Sequence, residues 1–280
     1  MVLPIHDINP LRRRPVVTWL LIAVNVAVFV LFEPIVTSVA GFTTATPQSV
    51  CEQQRFFDHW GAVPAEMLEN RPSQEVPNGR SAGVDPQGRV LCELESPPSF
   101  TKSPVVSVLT SMFLHGSWLH LIGNMLFLGV FGNNVEDRMG RFLYLIFYLV
   151  CGYTAAYGFA LFEGHSSTTL IGASGAVAGV LGAYLVVFPR ARVIGLVTFL
   201  FFLPFWLPAW LVLGFWFLLQ YIYFTGTGVA EGGSVAYGAH VVGFIFGALA
   251  VTPFVRELRA AGPARRDAPD HRWVRRTPWS

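Results

Sequence analysis

The sequence predicts an all-α polytopic membrane protein, a bundle of six transmembrane helices with a long first external loop. Three observations carry that expectation. Hydrophobic residues make up 53% of the 280 positions and charged residues 13%, with a mean hydropathy of +0.50, far from the balance of a soluble domain. Six runs contain no Asp, Glu, Lys or Arg: 16–32, 105–131, 142–162, 170–188, 193–224 and 235–255, and about 20 apolar residues suffice to cross the hydrocarbon core. Of the 19 Lys and Arg, fourteen fall on one side if there are six crossings, before the first run, in 132–141, at Arg190 and Arg192, and after Val255. That side is cytoplasmic by the positive-inside rule, so both termini are expected there.

Residues 1–15 read as a short polar cytoplasmic tail ending in Arg12, Arg13 and Arg14. The first span, 16–37, is followed by Glu33 and Pro34 within its own end and not by a small-residue cleavage site, so it reads as an anchor and not as a secretory signal. Residues 38–104 form the external loop, with eight acidic and five basic residues; short interfacial helices and disordered stretches are expected there. Within it, Cys51 and Cys92 are open between a disulfide and two free thiols. The core, 105–255, holds spans two to six. Its run 193–224 is too long for one simple crossing and contains Pro204 and Pro208, which predicts an interfacial or re-entrant piece to about Leu203 and a fifth span from about Phe205. The tail 256–280 is basic and suited to anionic lipid; nothing points to nucleic acid.

Polar residues in the apolar runs indicate chemistry. Spans two, four and six run in the same direction, so residues equally far from their starts share a depth. Ser174 is about four residues past Leu170 and His240 about five past Val235, which places both roughly 6 to 8 Å below the start of their spans. His120 and Asn124, at i and i+4, share a face of span two if it begins near Ser117. Gly172, Gly175, Gly179 and Gly182 form a small-residue ridge in span four, facing a Gly243 and Gly247 pair in span six, and such residues bring helix backbones together. A serine hydroxyl needs a base within hydrogen-bond reach, and neutral histidine is the usual one. The six charge-free runs contain no carboxylate, so the reading is a Ser174 and His240 dyad, with the Ser174 N–H, His120 and Asn124 as oxyanion donors.

Taken alone, Gly172-Ala173-Ser174-Gly175 reads as packing material, Asn124 as interhelical glue, and His115 as an interfacial residue that bonds loop structure. An ionisable residue within a span is costly and marks function more readily, which singles out His240. A midplane transporter site is disfavoured by the shallow placement of these groups. A zinc site built from His115, His120 and His240 lacks an HExxH helix, and no metal or cofactor is expected.

Together these residues resemble the rhomboid intramembrane proteases of bacterial type over roughly 105–255. The resemblance rests on Gly172-Ala173-Ser174-Gly175, on Ala239-His240 with Gly243 and Gly247, on His115, His120 and Asn124, and on Glu136, Arg138 and Gly140 after span two. It implies a Ser174–His240 dyad, an oxyanion hole using His120 and Asn124, and cleavage of membrane-anchored proteins near the outer end of their transmembrane segments. It also implies lateral substrate entry beside the fifth span, and an integral protein of the bacterial inner membrane whose site opens to the external or periplasmic side. The alternative is an inactive relative that binds membrane clients. Two departures stand out. Ala178 occupies the position, one turn after Ser174, where many relatives carry an aromatic residue against the histidine, with Tyr237 a candidate to replace it. The family's Trp-Arg pair is absent from the first loop.

Overall fold

The computed structural model describes residues 2–36, 38–39, 42–43, 45–164, 166–197, 203–226 and 236–260. The chain opens with strand β1 (Val2–Asp7) and helix α1 (Val16–Leu31). Short strands β2 (Ser38–Val39) and β3 (Phe42–Thr43) pair antiparallel. A unit expected to be external follows, with α2 (Pro47–Trp60), α3 (Pro64–Glu69) and the hairpin β4 (Val76–Val84) and β5 (Val90–Glu95). The helical core contains α4 (Pro104–Ser111), α5 (Trp118–Phe127), a π-helical segment (Leu128–Gly132), α6 (Asn133–Met139), α7 (Arg141–Phe162) and α8 (Ser174–Val187). Strands β6 (Arg192–Val197) and β7 (Leu203–Pro208) lead to α9 (Ala209–Phe224), α10 (Tyr237–Val251), a 3-10 turn (Thr252–Phe254) and α11 (Val255–Ala260).

Helix α8 is the centre of the bundle. Every residue from Ala176 to Tyr184 is buried, whereas α1, α7, α9 and α10 expose large apolar side chains such as Leu20, Phe142, Phe215 and Leu249. An outer surface of that kind suits lipid and not water. Helix α7, and the continuous stretch Tyr237–Ala260, are each long and apolar enough to cross a bilayer; α1, α8 and α9 are apolar and shorter. The small-residue seam between α8 and α10 is close. A Cβ on Gly243 would collide with the Gly175 carbonyl, one on Gly247 with that of Gly179, and one on Gly182 with that of Phe244. Gly172 departs from the expected ridge because it precedes α8, with φ at +118°.

The Glu136-Asp137-Arg138 stretch gathers chain ends. The Glu136 carboxylate accepts from the N–H groups of Val17 and Thr18 at 3.0 and 2.7 Å and from the Thr18 hydroxyl at 2.8 Å. It thereby caps the start of α1, whose own preceding residue, Pro15, offers no side-chain cap, and a negative group suits that end of a helix. Asp137 accepts from the backbone N–H of Arg12 and Arg13, and Arg138 donates to the Leu258 and Arg259 carbonyls.

The expectation of an all-helical chain is corrected at both ends of the bundle. The expected polar tail and re-entrant piece form one antiparallel sheet in the order β1-β6-β7. Val193 pairs with Asp7 and Leu207, and Ile194 with His6 and Trp206. The prolines explain the order: the central strand β6 has none, while Pro4 and Pro204 lie on the edge strands, where a missing N–H is tolerated. Pro208 then starts α9, which begins at Ala209 and not near Phe205. Asp7 anchors the sheet to α8, accepting from the Tyr184 hydroxyl and, at 2.8 Å, from Asn134 Nδ2; burial pushes its carboxyl above the usual range. Residues 198–202 of the expected re-entrant piece, and 261–280 of the basic tail, lie outside the described residues.

At the other end, much of the first loop folds. A capping box at Thr46 and Ser49 starts α2, a disulfide joins Cys51 to Cys92 on β5, and Lys102 Nζ meets Glu66 Oε2 at 2.6 Å with both side chains nearly inaccessible. The unit is sewn to the core just before α8. Ala62 and Leu170 exchange backbone hydrogen bonds of 3.1 and 2.6 Å, the Thr169 hydroxyl donates to Asp58, and a Cβ on Gly61 would collide with Thr169.

Candidate active site

Ser174 is the first residue of α8, so the expected helical start near Leu170 is corrected. Residues 170–173 are not helical, and the Gly172 N–H is held by the Ser111 carbonyl at 2.9 Å. Glycine is required at 172 twice over. Its φ lies in the left-handed region, and a Cβ there would sit 2.7 Å from His120 Nε2 and 3.6 Å from Ser174 Oγ. The bend turns the chain into α8 with the serine at the helix start. There the first backbone N–H groups have no intrahelical acceptor and the helix dipole favours negative charge.

His240 lies in the first turn of α10, and Val235, from which its depth was reckoned, is outside the described residues. Its Nε2 is 2.8 Å from Ser174 Oγ, a contact made possible by the glycine seam one and two turns further along. The imidazole is buried. Its Nδ1 is 2.8 Å from Gln220 Oε1 on α9, and Trp216, also on α9, lies tilted with ring centroids 6.0 Å apart. Tyr237 stands edge-on at 6.2 Å. Sequence reasoning missed Gln220 and Trp216. The signal was available: Gln220 is a carboxamide within an otherwise apolar and aromatic helix, and Trp216 is four residues earlier on the same face.

His120 and Asn124 lie on α5 one turn apart, and Asn124 Nδ2 donates to the His120 carbonyl at 3.1 Å. One hydrogen of the Asn124 amide is left for another acceptor. His115 packs inside the protein. It is fully buried, edge-on to His120 at 5.1 Å, and its backbone N–H is held by both oxygens of Glu33, each at 3.0 Å. Glu33, just past α1, thus fixes the turn that precedes α5. Gly175, Gly243 and Gly247 form the seam that brings α8 to α10, while Glu136 and Arg138 lie in α6 and hold chain ends away from the dyad.

The rhomboid domain matches residues 102–257. RHOMBOID-like protein 6, mitochondrial, of Arabidopsis thaliana is 36% identical over 78 residues, covering 28% of this chain and 25% of the relative. RHOMBOID-like protein 5 of the same plant is 32% identical over 78 residues with the same coverage. The aligned part is about a quarter of the length of these curated relatives. With a domain match spanning more than half of the sequence, laid over a helical bundle with an apolar outer surface, the chain belongs to the rhomboid family of integral membrane proteins.

Proposed function

We propose that the chain is an intramembrane serine endopeptidase that hydrolyses peptide bonds in or near the transmembrane segments of membrane-anchored proteins. The observation that carries this reading is the 2.8 Å contact between Ser174 Oγ and His240 Nε2, within the distance at which a base takes a hydroxyl proton. In the reaction, Ser174 Oγ attacks the scissile carbonyl carbon as its proton passes to His240 Nε2. The oxyanion forms beside the start of α8, where the Ser174 N–H and the side chains of His120 and Asn124 are the donors. His240 returns the proton to the leaving amine, giving an acyl-enzyme. Water, deprotonated by the same nitrogen, then releases the acid and restores Ser174.

Six crossings follow if α1, α5 with the π-helical segment, α7, α8, α9 and α10 each traverse the bilayer. On that plan 1–15 and 256–280 are cytoplasmic, 38–104 is external, and 105–255 is the catalytic core. The distribution of Lys and Arg supports this orientation, with the site open to the external or periplasmic side of a cell membrane. Substrates would enter laterally beside α9.

The test uses purified, folded protein in proteoliposomes with a tagged single-span substrate and a fluorophosphonate probe. The wild type is expected to cleave and to label, Ser174→Ala to do neither, and His240→Ala to lose at least ~10³-fold in cleavage. Cleavage that persists in both variants, or equal labelling of Ser174→Ala, refutes the reading. A folded wild type that binds the substrate but neither labels nor cleaves points instead to an inactive client-binding relative.

A further inference from the structure

We infer that Gln220 is the positioning residue of the base: it holds His240 in the tautomer with its proton on Nδ1, and so makes the base dependent on helix α9. The inference rests on the serine-protease reading above. Neutral imidazole carries one N–H. For Ser174 to donate its hydroxyl proton, Nε2 must present a lone pair, and the single N–H must therefore lie on Nδ1. What faces Nδ1 decides this, and it is Gln220 Oε1 at 2.8 Å. A carbonyl oxygen only accepts, so the contact requires Nδ1–H.

In soluble serine proteases a buried carboxylate performs this task. Among the described residues, Ser174 and Gln220 stand at hydrogen-bond distance from the imidazole, with the rings of Trp216 and Tyr237 beside it. A carboxamide supplies the acceptor without placing a charge in an apolar layer, where an ionised group is costly to desolvate. It also has a direction. Were the amide reversed, its N–H would donate to Nδ1, the histidine proton would move to Nε2, and Ser174 would face a donor with no base behind it. On helix α8, the residue one turn past Ser174 is Ala178, whose methyl group has no ring to stack on the imidazole. Helix α9 contributes twice, through Gln220 and, one turn earlier, Trp216. Moving α9 outward would draw away both supports of the base together.

The experiment measures kcat and KM for a tagged single-span substrate in proteoliposomes, comparing wild type, Gln220→Leu and Gln220→Glu with Ser174→Ala as background. Glutamate keeps an acceptor at the same reach, and leucine removes it. The expected result is a fall in kcat of about 10- to 100-fold for Gln220→Leu with KM within twofold, and kcat within about threefold of wild type for Gln220→Glu. A kcat for Gln220→Leu within twofold of wild type, or Gln220→Glu as slow as Gln220→Leu, overturns the inference. Long-range ¹H–¹⁵N spectra of histidine-labelled wild type in micelles, with the His240 signal assigned by its loss in His240→Ala, read the tautomer without relying on either variant. A protonated, pyrrole-type Nδ1 is expected, and an unprotonated Nδ1 overturns the inference. If the wild type shows no Ser174-dependent cleavage, the protease reading fails, while the spectrum still reports whether Gln220 acts as an acceptor toward His240.

Discussion

Adding one methyl group at Gly243 should separate the two reacting side chains without touching either. The Cβ of Gly243→Ala would collide with the Gly175 carbonyl oxygen and lie 3.3 Å from the Cβ of Ala155 on α7, so α10 is wedged from two sides. Restoring ordinary carbon–oxygen separation requires α10 to retreat by roughly 1 Å. His240 is three residues away on the same helix, about 4.5 Å along its axis, and moves with it. The 2.8 Å contact between Ser174 Oγ and His240 Nε2 would open to roughly 3.8 Å, beyond hydrogen-bond reach. A misplacement of that size costs about 10²-fold in rate, equivalent to ~2.7 kcal/mol of barrier. The assay is kcat for a tagged single-span substrate in proteoliposomes, beside the thermal midpoint of the same preparation. Gly214→Ala is the control, because nothing lies within 4 Å of a Cβ there, and it should leave both readouts unchanged. A Gly243→Ala protein whose kcat stays within threefold of wild type would refute the reasoning, since α10 would then have absorbed the methyl without moving its histidine.

Other perturbations probe the scaffold. Glu136→Ala strips three hydrogen bonds from the start of α1 and should destabilise the fold by about 2–4 kcal/mol, read as a lowered denaturation midpoint; an unchanged midpoint would show that water caps the helix equally well. Reducing the Cys51–Cys92 bond, which closes a separation of 41 residues, should destabilise the external unit by ~4 kcal/mol in the chain-entropy account. Faster hydrogen exchange in α2 and the β4–β5 hairpin, with α7 unchanged, is the expected signature. His59 is stacked between Trp60 and Phe100, and burial together with nearby Lys102 and Arg55 holds its imidazole below the ordinary value of 6.5. The unfolded unit therefore binds the proton more readily, so its stability is fully present above 6.5 and declines as pH falls from there towards the depressed folded value. Exchange protection in α2 should weaken with acidification in the wild type, and less so in His59→Phe.

The parts of this architecture that were legible in the sequence have local causes. Charge-free runs marked the helices, and Ser174 and His240 stood out because polar groups in apolar runs need a reason. Ser174 and His240 do meet, although the start of α8 was placed four residues too early, because 170–173 are not helical. The rest depends on distant partners. Residues 192–197 and 203–208 read equally as helix or strand from hydrophobicity alone, and the strand outcome depends on pairing with β1, far away in the sequence. The external unit hangs on a disulfide, the Lys102–Glu66 pair and the Ala62–Leu170 bridge, none of which has a periodic signature. Gln220 on its own does not point to the histidine, since an amide in a span also serves as interhelical glue, and only the position of α9 aims it at His240.

The bond between Cys51 and Cys92 is also a compass. Disulfides persist in oxidising compartments and are rare where glutathione and thioredoxin keep thiols reduced. The linked unit sits on the residues that lead into Ser174, so the proposed orientation, with the mouth of the site outside the cytoplasm, requires this bond to form in the oxidising space. The proposed side rests on counting arginines, and the bond is an unrelated physical check on it: one depends on the electrostatics of insertion, the other on the redox poise of the space into which the loop is delivered. A thiol-reactive probe that cannot cross membranes, applied to intact cells after mild reduction, would read this sidedness directly.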